Sequence, residues 1–333
     1  MTAAAAAEPR ARRQESDLLR SARRNSWTLG LVGLLVAFLV LTILIQPSYG
    51  AEQIQGLAVG ALPLAMAAVA QAIVVISGGI DLSVGPMMAL TSVTAAVLMQ
   101  GQSEIFAVGV VVAIMVLGLF LGAINGALVV ITRVPDIVVT LAMSFVWAGA
   151  TLLVLDTPGG GSAEWLKALM TGSIGSEWVP QALVVLVVVV AVVWIPLRRS
   201  RTGLALYAVG SHRLAAFRSG VSIGRTKVFA YALTGLFAAF GGLALTATTG
   251  IGTPVAGNYT LLGVAAIVLG GVSLAGGRGG VAGPILAVFI LALIQTDMTL
   301  LNIPPNLATV LQGTILIGVV MFGSVVAMRK RRV

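Results

Sequence analysis

The chain has 333 residues, of which 58% are hydrophobic and only 9% charged, with a formal net charge of +9. Water-soluble domains carry about 25% charged residues, so a soluble globule is excluded and a lipid bilayer is the solvent that fits. The lack of cysteine excludes a disulfide framework and thiol chemistry, and a single histidine, His212, excludes a multi-histidine metal centre.

A helix that crosses a membrane needs about 20 mainly apolar residues. In chain order, residues 27–46, 54–77, 84–100, 105–132, 137–156, 181–197, 228–250, 259–275, 281–300 and 307–328 read as such segments. The expected fold class is an all-α polytopic membrane protein of about ten transmembrane helices, both termini cytoplasmic. Residues 1–25 read as a disordered cytoplasmic tail, 26–328 as one transmembrane domain and 329–333 as a basic cytoplasmic C-terminus. The apolar run from Trp27 exceeds the ~7–15-residue core of a secretory signal, so it reads as a span. With this orientation the inner face receives Arg133, Arg278, both basic termini and the seven cations of the 198–227 loop; Lys167 alone falls outside. The positive charge thus marks membrane topology, not a nucleic-acid partner. In the outer loop, 157–180, Trp165 and Trp178 suit a short interfacial helix.

The second and third spans are separated by Gly78-Gly79-Ile80-Asp81-Leu82-Ser83-Val84-Gly85. Either Asp81 and Ser83 merely cap the next helix start, or the segment is a broken helix on a transport path or a brace for a gate. The 198–227 loop, centred on a short helix that Gly220 terminates, either docks into a cytoplasmic partner or rests on anionic lipid. Six glycines occupy the 11 residues 270–280. No phosphate-loop pattern accompanies them, so tight packing and a tight turn are the expected roles. Gly78-Gly79 and Gly276-Gly277 also form a faint internal echo. Within the apolar spans, Gln71, Asn125, Thr140, Gln295 and Asp297 are polar; such groups usually face a bundle interior or water.

From about residue 54 to 328 the chain resembles the permeases of ribose-type ABC importers. The resemblance rests on four ordered stretches. These are Gly78 to Gly85; Asn125-Gly126-Ala127-Leu128-Val129 through Arg133-Val134-Pro135 to Val138-Val139-Thr140-Leu141; Ala208, Gly210, Ala215, Ala216, Ser219 and Gly220; and Ala265 to Gly271 with Ser273-Leu274 and Gly276-Gly277. The family usually has Asn at His212, often Phe at Asp136 and commonly Glu near Thr260. The resemblance implies a permease that works with a second permease copy, identical or not, around a central pathway. It also implies a separate ABC ATPase and an extracytoplasmic sugar-binding protein. On this reading Ala208, Gly210, His212, Ala215, Ala216, Ser219 and Gly220 form the ATPase-coupling loop, and Asp81, Ser83, Asn125, Thr140 and Gln71 are candidates for the pathway or its gate. No catalytic residue, metal or cofactor is expected. A branched-chain amino-acid permease of the same class and an ion-coupled secondary transporter are the competing readings; the latter lacks well-placed mid-membrane acids.

Overall fold

The computed structural model describes residues 26–321, except positions 256, 305, 309, 312, 315, 316, 319 and 320. The expected tail at 1–25 and basic end at 329–333 lie outside the described residues, and the expected span 307–328 lies only partly within them. In chain order the helices are α1 (Ser26–Ile45), α2 (Ala51–Ile76), α3 (Val84–Met99), α4 (Glu104–Thr132), α5 (Asp136–Val154) and α6 (Glu164–Met170). A two-stranded antiparallel hairpin, β1 (Ser173–Ile174) and β2 (Ser176–Pro180), follows. Then come α7 (Gln181–Arg199), α8 (Arg201–Ser211), α9 (Arg213–Arg218), α10 (Ile223–Thr249), α11 (Tyr259–Leu269) and α12 (Ala282–Leu300).

Seven of these helices, α1, α2, α4, α5, α7, α10 and α12, are long and apolar enough to cross a membrane. The segments expected at 84–100 and 259–275 fold as shorter apolar helices of 16 and 11 residues. The second stops at Leu269 because Gly270 and Gly271 turn the chain, the N–H of Val272 reaching back to Ile267 O at 2.9 Å. The hairpin is the departure from an all-helical reading. It follows α6, the short helix expected in the outer loop, whose Trp165 indole donates to Glu104 O at 3.2 Å.

Burial sorts the helices. From Ala61 to Ile76 every residue of α2 is buried, as befits a helix that is apolar all round. It packs against α10, α11, α12 and α7, and α10 in turn packs against α4 and α3. The exterior is apolar too: Leu153 on α5 is 90% exposed and Val192 on α7 67%, a surface that suits lipid and not water.

Between helices in lipid, small residues permit close backbone approach. On α4, Gly118, Gly122 and Gly126 form one stripe against Val228, Tyr231 and Gly235 of α10, and a Cβ at Gly122 would overlap the Tyr231 carbonyl. On the other flank of α10, Gly242 lies against Met88, Thr91 and Ser92 of α3. Ser92 and Thr246 share a hydrogen bond of 2.8 Å there. Thr42 of α1 donates to Asp297 of α12 at 2.6 Å, which accounts for that acid within an apolar helix.

Candidate functional site

The break between α2 and α3 is built from local chemistry first. Gly78 takes a left-handed φ of +76°, which glycine adopts without strain, and the Gly79 N–H turns back to Val74 O at 3.0 Å. Asp81 Oδ1 accepts from the Ser83 N–H at 2.8 Å and from its hydroxyl at 2.6 Å. Ser83 therefore does not cap α3 with its side chain, contrary to the capping expectation. The donors near the helix start are met from afar. The Leu82 N–H donates to Thr140 Oγ1 of α5 at 3.1 Å, and the Gly85 N–H donates to Thr260 Oγ1 of α11 at 2.8 Å.

The five expected pathway or gate residues converge on this break. Gln71 donates to Asp81 O at 2.6 Å, and Asn125 donates to Ser83 Oγ at 2.6 Å while accepting from the Trp147 indole at 3.2 Å. Gln71, Asp81, Ser83, Asn125 and Thr140 are all fully buried. They form one hydrogen-bonded brace, and none lines the two cavities described below. Trp147 and Thr260 carried no signal of this role in the sequence.

The basic loop forms an elbow of two helices where one was expected. Ser200 caps α8 by accepting from the Gly203 N–H at 3.0 Å. His212 is extended, with φ −160° and ψ 99°, and divides α8 from α9. Its Nδ1 accepts from the Ala215 N–H at 3.2 Å. It thus performs the N-capping for which asparagine is better known. After Ser219, Gly220 at φ +82° closes α9, with Gly220 N–H to Phe217 O at 2.9 Å and Val221 N–H to Ala216 O at 3.0 Å. Ala216 is buried, while Leu214, Ala215 and Phe217 stand exposed beside Arg213 and Arg218.

The elbow rests directly on the break. A Cβ on Gly210 would overlap Ile76 O, and one on Gly276 would come within 2.9 Å of Gly78 Cα. The Gly277 N–H donates to Ile76 O at 2.9 Å, and Arg213 donates to Gly78 O at 3.3 Å. The two glycine pairs that echo each other in the sequence are therefore neighbours in space. Tyr207 donates to Gly279 O at 2.8 Å. Burial raises its phenol above the ordinary value, against a lowering influence from Arg198, so it stays a protonated donor at physiological pH. The glycine-rich 270–280 segment works as a turn and packing element, as expected.

A charged cluster went unrecognised in the sequence. Lys227 of α10 reaches both carboxylate oxygens of Asp136 on α5, at 2.7 and 2.6 Å. Tyr231, one turn on, donates to Asp136 at 3.0 Å and also approaches Ile80 O at 3.2 Å. Asp136 and Lys227 border a cavity of about 620 Å³ that Gly79, Ile80, Arg133 and Arg213 also line. The available signal was a single acid, Asp136, at one apolar helix start and basic residues, Arg225 and Lys227, near another.

At the opposite end of the bundle lies a larger cavity of about 1030 Å³, between the end of α1, the start of α2, the start of α11 and the end of α12. Its polar lining is neutral: Gln46, Tyr49, Gln53, Asn258, Tyr259, Gln295 and Thr296. Among the described residues no charged side chain lines it. Of these, only Gln295 was singled out as polar within a span.

Comparison with known proteins agrees with this architecture. A family model described as "Branched-chain amino acid transport system / permease component" matches residues 53–320. The ribose import permease protein RbsC of Escherichia coli K12 is 31% identical over 76% of this chain and 79% of its own length. Its Bacillus subtilis counterpart is 32% identical over 73% of this chain and 76% of its own. The autoinducer 2 import system permease protein LsrD of Photorhabdus temperata is 26% identical over 89% of this chain and 90% of its own. No solved structure matches this chain. With its apolar helices, glycine-packed break and basic elbow, the chain belongs to the permease family described as branched-chain amino acid transport system / permease component, in its ribose-type ABC importer branch, and is a multi-pass protein of the bacterial cytoplasmic membrane.

Proposed function

We propose that this chain is the membrane-spanning subunit of an ATP-driven importer for a small uncharged polar solute, a monosaccharide such as ribose or a related sugar. The observation that carries this reading is the cavity opposite the elbow. Its amides, hydroxyl and phenols donate and accept hydrogen bonds, as a polyol requires, and none of its described side chains is charged. A zwitterionic amino acid would leave two charges desolvated there without counter-ions. Relatives named for ribose import support the same choice.

In this reading both termini are cytoplasmic, with about ten spans in all. The cavity faces an extracytoplasmic binding protein and the elbow faces the cytosol. A separate ABC ATPase takes α9 in a surface groove, a second permease copy completes the pathway, and no cofactor is required. Ala208, Gly210, His212, Ala215, Ala216, Ser219 and Gly220 shape the docking elbow. Gln71, Asp81, Ser83, Asn125 and Thr140 brace the gate. The exposed Leu214 and Phe217 of α9, next to basic residues, support a protein partner on that face.

The test is reconstitution of the chain with its ATPase and binding protein in proteoliposomes. Radiolabelled ribose should accumulate only with ATP and all components, and leucine should not. Ribose flux through the permease alone, or ATP-driven leucine uptake in preference to ribose, overturns the reading.

A further inference from the structure

The α2–α3 break is held from two sides by parts of a single rigid connection. On one side, Gly210 and Arg213 of the elbow touch Ile76 and Gly78. On the other, the elbow runs through the Gly220 turn straight into α10. Lys227 and Tyr231 lie near the start of that helix, four residues apart and so on one face. Lys227 and Tyr231 both hold Asp136, the first residue of α5, and the Tyr231 hydroxyl lies 3.2 Å from the Ile80 carbonyl. One turn along α5, Thr140 accepts from the Leu82 N–H at 3.1 Å, and its hydroxyl, which donates to Asp136 O at 2.9 Å, lies 3.3 Å from the same Ile80 carbonyl. Faces of α5 and α10 therefore enclose residues 80–82, and the Asp136–Lys227 ion pair ties the two faces together. Lys227 is 5% exposed and Asp136 14%. A pair this buried adds little stability over apolar packing, and its better-attested use is to fix register between moving parts.

Resting on the importer reading above, we infer that Asp136 and Lys227 are positioning residues for transport. Their ion pair, with Tyr231, is the joint that makes the break follow the elbow when the ATPase moves it. Displacement of α9 shifts the first turns of α10. The ion pair carries α5 along, and the Ile80–Leu82 backbone gripped between them moves as one piece. Without the pair, α10 slides past α5 and the break stays behind.

The joint is tested in the assembled complex with its ATPase and binding protein. Since the chain has no cysteine, Ile80→Cys supplies a single thiol on the wall of the 620 Å³ cavity. In the otherwise native background, maleimide labelling of that thiol should change at least threefold when ATP and vanadate trap the ATPase. In Asp136→Leu/Lys227→Met, which replaces the pair with apolar packing and so preserves folding, the response should vanish. Ribose moved per ATP should fall at least tenfold, while the melting temperature and ATP hydrolysis stay near native. Asp136→Lys/Lys227→Asp should recover part of the labelling response, which a packing role alone does not require. A native-sized response in the apolar double variant, with native ribose per ATP, overturns the joint and leaves the importer reading standing. Absence of any nucleotide response in the native background, with ATP-driven ribose uptake intact, overturns the joint alone; absence of that uptake as well overturns both.

Discussion

The two ends of the bundle solve opposite problems. At the elbow end, helices and loops meet backbone to backbone. Gly210 and Gly276 leave no room for a methyl group, Gly78 takes a left-handed φ, and the polar groups are charged or paired. At the opposite end, Gly56 and Gly60 face open space, and neutral amides and hydroxyls set among leucine and alanine side chains line about 1030 Å³. Glycine thus does two jobs in one chain. It permits contact at the elbow end and volume at the other; on the importer reading proposed above, the first serves transmission of motion and the second passage of an uncharged solute.

The sharpest way to break this contrast is to add the same bulk to both kinds of glycine. Gly210→Leu drives a side chain into the Ile76 and Gly277 backbones, and overpacking of this sort costs about 1–3 kcal/mol or more where neighbours cannot yield. With main chain on both sides, we expect no folded, monodisperse protein in detergent. Gly60→Leu meets nothing within 4 Å, so melting should stay near native while ribose uptake falls through filling of the cavity. Equal loss of folding in both variants would refute the distinction.

Next in size is the exposed tip of the elbow. Ala215→Trp should leave the melting temperature unchanged, because Ala215 is exposed, yet reduce ATP-driven uptake at least tenfold by blocking docking. Undiminished uptake would remove α9 from the partner interface.

Within the brace, Asn125→Leu leaves the buried Trp147 N–H without an acceptor and Ser83 without its donor. A lost partner of this kind costs about 1–3 kcal/mol, measurable as a lowered thermal midpoint in detergent. No change would mean that the brace carries no load in this conformation. The smallest effect belongs to the neutral cavity. Asn258→Ala or Gln295→Ala should each raise the apparent KM for ribose about fivefold, equivalent to about 1 kcal/mol for one hydrogen bond, with the maximal rate of ATP hydrolysis unaltered. A change in hydrolysis without a change in KM would assign these residues to coupling instead.

The residues by themselves determined that the chain lives in lipid, where most of its described apolar helices begin and end to within a few positions, and that a basic elbow closes at Gly220. Each of these follows from local properties: the length of an apolar run, the placement of cations, and a glycine where the backbone turns left-handed. The tertiary structure alone decided which polar groups meet. Asp136 finds Lys227 across 91 residues, Thr260 caps a helix that begins far upstream, and His212 splits one expected helix into two. A lone polar side chain in an apolar span must find a partner, but nothing in its neighbourhood along the chain says which one. That choice is made by helix packing, which glycine permits and long-range contact fixes.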